Sequence, residues 1–247
     1  MPKIAVIIPA AGSSTRFGGA DKKPFVSLDG RPVWQRAAEL FWNRPDVVSV
    51  SIVISPDDRD EFRGRFGHLL AFTTAKVVDG GVERFESVAN ALALIPPEVD
   101  LVAVHDAVRP LTSPPLIDAV FAAASEHGAA LLAVPLADTL KRVAAEDTVT
   151  ETIPRAGLWC AQTPQVFRRD WLVDAYARRG ELAGPITDDA QLVEAAGHPV
   201  RVVIGSPTNF KITAQDDLKL AEAILKSRVV PRDEPKPSRP FDDEGKW

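Results

Sequence analysis

The stretch from Pro9 to Phe25, PAAGSSTRFGGADKKPF, decides the fold because it abruptly interrupts a short apolar run. That run, KIAVII over Lys3 to Ile8, is rich in β-branched residues, which is typical of a strand buried on both faces of a parallel sheet. The stretch itself is rich in small residues, which let backbone N–H groups approach a ligand, and it carries the cations Arg16, Lys22 and Lys23. Together these features favour a polyphosphate ligand.

An ordinary glycine-containing turn between a strand and a helix is the alternative interpretation of this loop. Its place in the chain favours ligand binding, because open α/β sheets hold ligands at the carboxyl ends of their strands. The Walker A pattern G-x-x-x-x-G-K-[ST] and the dinucleotide pattern G-x-G-x-x-G are both absent. The sequence therefore predicts a phosphate site outside the P-loop and dinucleotide-binding classes.

The composition indicates one α/β domain with a small anionic partner. The chain has 247 residues, 45% of them hydrophobic, which is enough for a sizeable core. A net charge of −5 argues against general nucleic-acid or membrane-surface binding. The single cysteine, Cys160, excludes an intrachain disulfide and a thiolate-rich zinc site. Because no apolar run could span a bilayer and no signal-peptide pattern begins the chain, we expect a cytoplasmic protein.

Strands and helices alternate over the first half of the sequence. Runs of β-branched residues predict strands, and apolar residues at helical spacing predict helices. The predicted strands are 47–54, 75–78, 101–104 and 130–134, and the predicted helices are 31–42, a charged helix reaching about residue 66, 83–94 and 114–127. This alternation predicts a doubly wound, mostly parallel sheet.

The alternation breaks after Pro135. Residues 139–143 and 149–153 form two extended pieces around a polar turn, which predicts a projecting β-arm over about 136–157. An arm with little core of its own favours a dimer contact, and a flap over the site is the alternative.

The remaining sequence predicts the end of one domain and a tail. Further helices are predicted at 170–178, 188–196 and 214–226, and a last strand at 200–204. Residues 1–228 are then a single domain. Residues 229–247 are rich in proline and charge, so we predict that they form a disordered tail.

Polar residues cluster where the predicted strands end. Residues 80–87 combine a glycine turn with a helix N-terminus, which can bind a base or phosphate; a turn with a helix cap is the alternative. Asp106 and Arg109 follow a buried strand, with a structural ion pair as the alternative. The segment 186–190 is interpreted as a helix N-cap. Lys211 follows the last strand, where a surface lysine is the default interpretation.

These segments, taken in order, resemble the successive motifs of the 2-C-methyl-D-erythritol 4-phosphate cytidylyltransferase family of the non-mevalonate isoprenoid pathway. The motifs are PAAGSSTRF with KKPF, DGGVERFESV, VHDAVRP, VPLADTLKRV, IPRAGLWCAQTPQVF, ITDDA and NFKIT. Many sugar-nucleotide transferases share the first pattern, whereas GLW-x-x-x-TPQ-x-F and D-T-x-K are more specific. The resemblance implies a Rossmann-like nucleotidyltransferase fold.

The resemblance also implies a reaction and a set of site residues. A phosphate oxygen of the polyol substrate attacks the α-phosphorus of CTP, pyrophosphate leaves, and Mg²⁺ bridges the triphosphate. Such a reaction needs positioned cations more than a general base. By motif position the catalytic residues are Arg16, Lys23, Arg155 and Lys211; the CTP site comprises Ala10, Ala11, Gly12, Gly81, Ser87 and Ala107; and the polyol phosphate site comprises Asp106, Arg109, Thr139 and Thr163. No side-chain metal ligand is implied, since the metal is expected on the CTP phosphates.

Some implications stay open at this point. Ser14 replaces a frequent glycine, and KKPF places Lys22 where the family usually has proline, so either Lys22 or Lys23 is the catalytic lysine; we align Lys23 with it. Arg155 on the arm implies a homodimer in which it reaches the partner's site. The alternatives are a ribitol-5-phosphate cytidylyltransferase and a catalytically idle nucleotide-binding protein.

Overall fold

A seven-stranded sheet forms the centre of the molecule in the computed structural model, which describes residues 1–12, 22–71 and 73–228. In the described part of the chain the strands are β1 (Ile4–Pro9), β2 (Ser27–Leu28), β3 (Arg31–Pro32), β4 (Val47–Ile54), β5 (Ala75–Asp79), β6 (Leu101–Val104), β7 (Ala129–Pro135), β8 (Leu140–Val143), β9 (Val149–Ile153), β10 (Trp159–Arg168) and β11 (Arg201–Ile204). The sheet order is β11-β7-β10-β6-β1-β4-β5. Neighbouring strands are parallel except for β10, which is antiparallel to both β6 and β7.

Helices cover both faces of this sheet. Over the same residues they are α1 (Val33–Glu39), α2 (Arg59–Leu70), α3 (Arg84–Leu92), α4 (Pro114–His127), α5 (Arg169–Ala177), α6 (Asp189–Ala195) and α7 (Gln215–Arg228). On one face α1, α2 and α4 pack in a cluster with Ile4, Val6 and Ile8 of β1. On the other face α3, α5 and α6 pack with Ala5 and Ile7. The first strand is thus buried on both faces, and the predicted doubly wound, mostly parallel sheet is confirmed.

Most predicted elements lie close to their observed bounds. Strands β4 and β6 and helix α4 have the predicted ends. The predicted helix over 31–42 differs: Arg31 and Pro32 pair with Ser27 and Leu28 in a small hairpin, so α1 begins at Val33 and ends at Glu39. None of the described helices has the length and apolar character needed to cross a membrane.

Strand β10 was not predicted. It occupies ten residues of a segment where no long helical period was found, and it completes the sheet between β6 and β7. Its Pro164 argues against a central strand, because proline cannot donate to the strand ladder. The pairing with β7 accommodates this proline through a register shift between Ala161 and Gln165. The Thr163–Pro164 peptide bond is cis.

Strands β8 and β9 form a separate two-stranded antiparallel sheet between β7 and β10 in the chain. Leu140 pairs with Ile153, and Arg142 forms a cross-strand salt bridge with Glu151 at 2.9 Å. The side chains of these strands are mostly exposed, so this arm has little core within one chain. The domain bounds stay predictions, and the predicted tail over 229–247 lies outside the described residues.

Candidate active site

A cavity of about 280 Å³ opens at the carboxyl ends of β1, β5 and β6. Three strand-end loops and the start of α3 contribute to its wall, as expected for a ligand site in an open α/β sheet. Its lining residues are Pro9, Ala10, Ala11, Gly12, Lys23, Pro24, Gly81, Val82, Glu83, Arg84, Ser87, Asp106, Val108 and Lys211.

A tight glycine turn forms one wall of the cavity. The Gly81 N–H donates to the Ser87 hydroxyl oxygen at 3.1 Å, and that hydroxyl donates to the Glu83 carbonyl at 3.2 Å. A Cβ on Gly81 would lie 2.3 Å from the Cβ of Glu86, so this position requires glycine. The alternative interpretation of residues 80–87, a turn with a helix cap, therefore accounts for the hydrogen bonds within the segment. Gly81 and Ser87 of the same segment also line the cavity.

Asp106 lies at the centre of the charged wall and is only 7% exposed. Its Oδ2 lies 3.2 Å from Lys211 Nζ and 3.3 Å from Arg109 Nε, and its Oδ1 lies 3.5 Å from Arg84 Nη2. Burial raises the pKa of Asp106, but Arg84, Lys211 and Arg109 outweigh burial and hold that pKa well below its usual range. The group is therefore an ionised carboxylate, which can only accept hydrogen bonds.

A chain of hydrogen bonds fixes the backbone behind Asp106. The Asp106 N–H donates to Thr163 Oγ1 at 3.0 Å, Thr163 Oγ1 lies 3.1 Å from His105 Nδ1, and His105 Nε2 lies 3.0 Å from the Arg109 carbonyl. Because a carbonyl only accepts, Nε2 carries the proton and Nδ1 accepts from Thr163. Burial lowers the pKa of His105 to about 4, in agreement with this neutral tautomer.

The predicted site residues fall into several groups. Those lining the cavity are Ala10, Ala11, Gly12, Lys23, Gly81, Ser87, Asp106 and Lys211. Arg109 contacts Asp106 from beside the cavity, and Ala107 and Thr163 are buried and absent from the lining. Thr139 and Arg155 are exposed near the arm and do not line the cavity of their own chain. Arg16 lies outside the described residues.

The two candidate lysines differ in their surroundings. The Lys22 Nζ donates to both carboxylate oxygens of Asp58, at 2.8 and 2.7 Å, and Lys22 is not part of the cavity lining. Lys23 lines the cavity. Of the two, only Lys23 is thus placed to contact a ligand in this cavity, and its catalytic role stays a prediction.

Arg84 is the cavity-lining cation that sequence reasoning left without a role. The motif over residues 80–87 contains it, but only Gly81 and Ser87 were assigned. Its principal partner is Asp189, to which Nη2 donates at 2.8 Å across 105 positions of the chain. Local spacing carries no signal for a contact of that separation.

The acidic side chains in the described cavity lining are Glu83 and Asp106. Among the described residues, no three His, Cys, Asp or Glu side chains group to hold a metal. The carboxylate of Asp106 already faces three cations. These carboxylates alone would not enclose a cation, and a divalent ion here would need ligands from a bound phosphate.

Comparison with known proteins identifies the family. The family model described as 2-C-methyl-D-erythritol 4-phosphate cytidylyltransferase matches residues 4–227. The chain belongs to this family. A protein of that name from Rhodopirellula baltica is 44% identical over 234 residues, covering 90% of this chain and 94% of that protein. The one from Symbiobacterium thermophilum is 44% identical over 227 residues, covering 92% and 94%.

Solved structures of the cytidylyltransferase family share the fold. The crystal structure of 2-C-methyl-D-erythritol 4-phosphate cytidylyltransferase from Thermus thermophilus matches with a TM-score of 0.72 and 35% identity. The match covers 91% of this chain and 99% of that one. The family resemblance of the sequence motifs and the nucleotidyltransferase fold class are therefore confirmed.

The buried His105 predicts a stability that falls in mild acid. Its folded-state pKa of about 4 lies below the value of 6.5 in an unfolded chain, so only the unfolded state takes up a proton as the pH falls through this window. The contribution of His105 to the free energy of unfolding is fully present above pH 6.5. It is lost as the pH falls toward 4, which lowers that free energy by up to about 3 kcal/mol. Urea unfolding at several pH values should show this slope in the wild type and a smaller one in His105→Gln.

The matched control is His68→Gln, which removes an exposed histidine of α2. It should keep the wild-type slope. An unchanged slope in His105→Gln would contradict the assignment of a neutral buried imidazole.

Proposed function

We propose that this chain transfers CMP from CTP to 2-C-methyl-D-erythritol 4-phosphate and releases pyrophosphate. The observation that carries the proposal is the composition of the cavity. Lys23 and Lys211 line it together with the first loop and the Gly81 turn. The family match over residues 4–227 supports the nucleotide and the polyol phosphate as substrates, and it favours methylerythritol phosphate over ribitol phosphate.

The chemistry calls for the charges that line this cavity. An oxygen of the polyol phosphate forms a bond to the α-phosphorus of CTP, and the bond from that phosphorus to the bridging oxygen breaks to release pyrophosphate. Both reactants are anions, so positioned cations lower their repulsion and stabilise charge on the transferring phosphoryl group. Lys23 would hold the nucleotide phosphates. When bound, magnesium supplies further neutralisation of the triphosphate.

The charge pattern also orients the second substrate. Asp106 is ionised, so it accepts hydrogen bonds from polyol hydroxyls and repels a phosphate. Lys211 lies 3.2 Å from Asp106 with its side chain 43% exposed, which leaves the ammonium accessible to an incoming anion. We infer that the hydroxyls face Asp106 and the phosphate faces Lys211.

The arm supports a shared site in a homodimer. Arg155 donates to the Ala137 carbonyl and is exposed, outside the cavity of its own chain. Val143 and Val149 on the arm are half exposed, at 50% and 55%, which favours a further packing partner. We infer that a second copy covers the arm and receives Arg155 in its cavity. We also infer a cytoplasmic location, which the single cysteine supports.

The first experiment offers methylerythritol 4-phosphate and ribitol 5-phosphate separately, each with CTP and Mg²⁺, and measures pyrophosphate release. We expect rapid release with methylerythritol 4-phosphate alone. Release only with ribitol 5-phosphate would show that ribitol 5-phosphate is the substrate and that the assignment to methylerythritol 4-phosphate is wrong. CTP binding without release on either substrate would instead indicate an idle nucleotide-binding protein.

Substituting each lysine of the first loop separates their roles. Lys23→Ala should lower turnover by about 10²–10³-fold, the scale for removing one preorganised charge-stabilising group. Lys22→Ala is the matched control, since it removes the neighbouring ammonium, which pairs with Asp58. It should keep most of the turnover. The reverse pattern in steady-state rates would transfer the catalytic assignment to Lys22.

Mixed dimers test the sharing of Arg155. In a mixture of Arg155→Ala and Lys23→Ala chains, a mixed dimer has one cavity with both an intact Lys23 and an intact Arg155 from the partner. Subunit exchange should therefore restore activity to about a quarter of the wild-type value, since about half of the dimers are mixed and each has one competent site. If the mixture stays as inactive as the separate variants, Arg155 acts within its own chain, as in a flap over the site.

A further inference from the structure

A buried polar network joins α3, α5 and α6 behind the cavity. The Asp189 side chain is fully buried, and both of its carboxylate oxygens have partners. Arg84 Nη2 donates to Oδ2 at 2.8 Å, and the Tyr176 hydroxyl donates to Oδ1 at 2.6 Å. Burial and the adjacent carboxylate raise the pKa of Tyr176, so its hydroxyl keeps the proton that it donates. These short contacts hold the guanidinium in one place.

The central sheet anchors this network. The backbone N–H groups of Asp189 and Ala190 donate to Gln165 Oε1 at 3.2 and 3.0 Å. The Gln165 side-chain amide donates to Asp188 at 2.9 Å. Gln165 lies on β10, which has a strand on each side. The start of α6, and with it Asp189, is thus fixed to the rigid part of the fold.

Arg84 extends from this anchor to the cavity. The same Nη2 that donates to Asp189 lies 3.5 Å from Asp106 Oδ1. The other oxygen of Asp106 faces Lys211 and Arg109. Burial lowers the pKa of Arg84, but the negative charges of Asp189 and Asp106 outweigh burial, so this pKa lies above its usual value. The guanidinium is therefore charged, and it lies between two carboxylates.

The cations around Asp106 stabilise its buried negative charge. A buried carboxylate is stable only with partners, and Asp106 would otherwise rely on Lys211 and Arg109 at one of its oxygens. The Arg84 guanidinium lies 3.5 Å from the second oxygen, so cations face both oxygens of the carboxylate and disfavour its rotation.

We propose that Arg84, held in place by Asp189 and Tyr176, is a positioning residue that sets the Asp106 carboxylate for the hydroxyl groups of the polyol phosphate. The proposal rests on the cytidylyl transfer proposed above. Asp189 and Tyr176 do not line the cavity. Under this proposal they nevertheless affect the binding of the polyol phosphate, through Arg84. The proposal also explains why a charged side chain is placed at the start of α3 beside a buried acid.

Steady-state kinetics of two variants test the proposal. Arg84→Lys keeps a positive charge but places it on a flexible stem without the planar guanidinium that Asp189 holds, and Tyr176→Phe removes only the hydroxyl that donates to Asp189. In both variants the KM for methylerythritol 4-phosphate should rise, by about 10-fold for Arg84→Lys and less for Tyr176→Phe, because the Asp106 carboxylate would lose the fixed cation that faces its Oδ1. The KM for CTP should change by less than about 2-fold.

A matched control separates this effect from the loss of any arginine bridge. Arg44 likewise contacts two carboxylates, Asp46 and Asp118, each at 2.8 Å, and does not line the cavity. Arg44→Lys should leave both KM values unchanged. The thermal midpoint of each variant reports purely structural effects.

The outcomes distinguish this inference from the proposed function. If wild-type chain transfers CMP but both variants keep the wild-type KM for the polyol phosphate, the positioning role is wrong and the proposed function stands. Equal rises in both KM values would also overturn it, since they indicate general distortion of the cavity. If wild-type chain transfers nothing to either polyol phosphate, the proposed function fails and this inference fails with it.

Discussion

The charge of Asp106 is the constraint on which the site depends. A carboxylate that is 7% exposed needs partners, and it finds them on three separate segments: Arg84 on α3, Arg109 on its own loop, and Lys211 after β11. Its backbone is fixed in turn by Thr163 on β10. These contacts bring the loops together at the carboxyl end of the sheet, so neutralising one buried charge also shapes the cavity.

The parts of the fold that sequence predicted are those whose signal is local. Strand β1 reads as a continuous apolar run because it is buried on both faces, and the same holds for β6. Strand β10 gave no such signal, because Gln162, Thr163 and Gln165 face polar partners and Pro164 interrupts the ladder. Polar side chains of this strand bond the backbone of Asp106 and of α6, and these residues replace the apolar run by which a central strand is recognised.

The site follows the same division. Lys23, Gly81 and Asp106 belong to short motifs, and the structure brings them to one cavity. The role of Arg84 depends on Asp189, which had no role of its own in the segment 186–190 that was interpreted as a helix N-cap. Asp188 provides that cap, accepting from the Gln191 N–H at 3.0 Å. Two adjacent acids thus have separate tasks, and only the three-dimensional contact distinguishes them.

The departure at KKPF is compatible with the geometry that the family pattern requires. Lys22 replaces a usual proline, yet its φ of −66° lies at the value to which a proline ring would lock the backbone. The Lys22 ammonium forms an ion pair with Asp58 at the start of α2. Lys23 begins the 3₁₀ turn that follows, Lys23–Phe25, and lines the cavity. The replacement therefore keeps the backbone angle of a proline and engages the added ammonium away from the cavity, so Lys23 is the lysine of this pair that lines it.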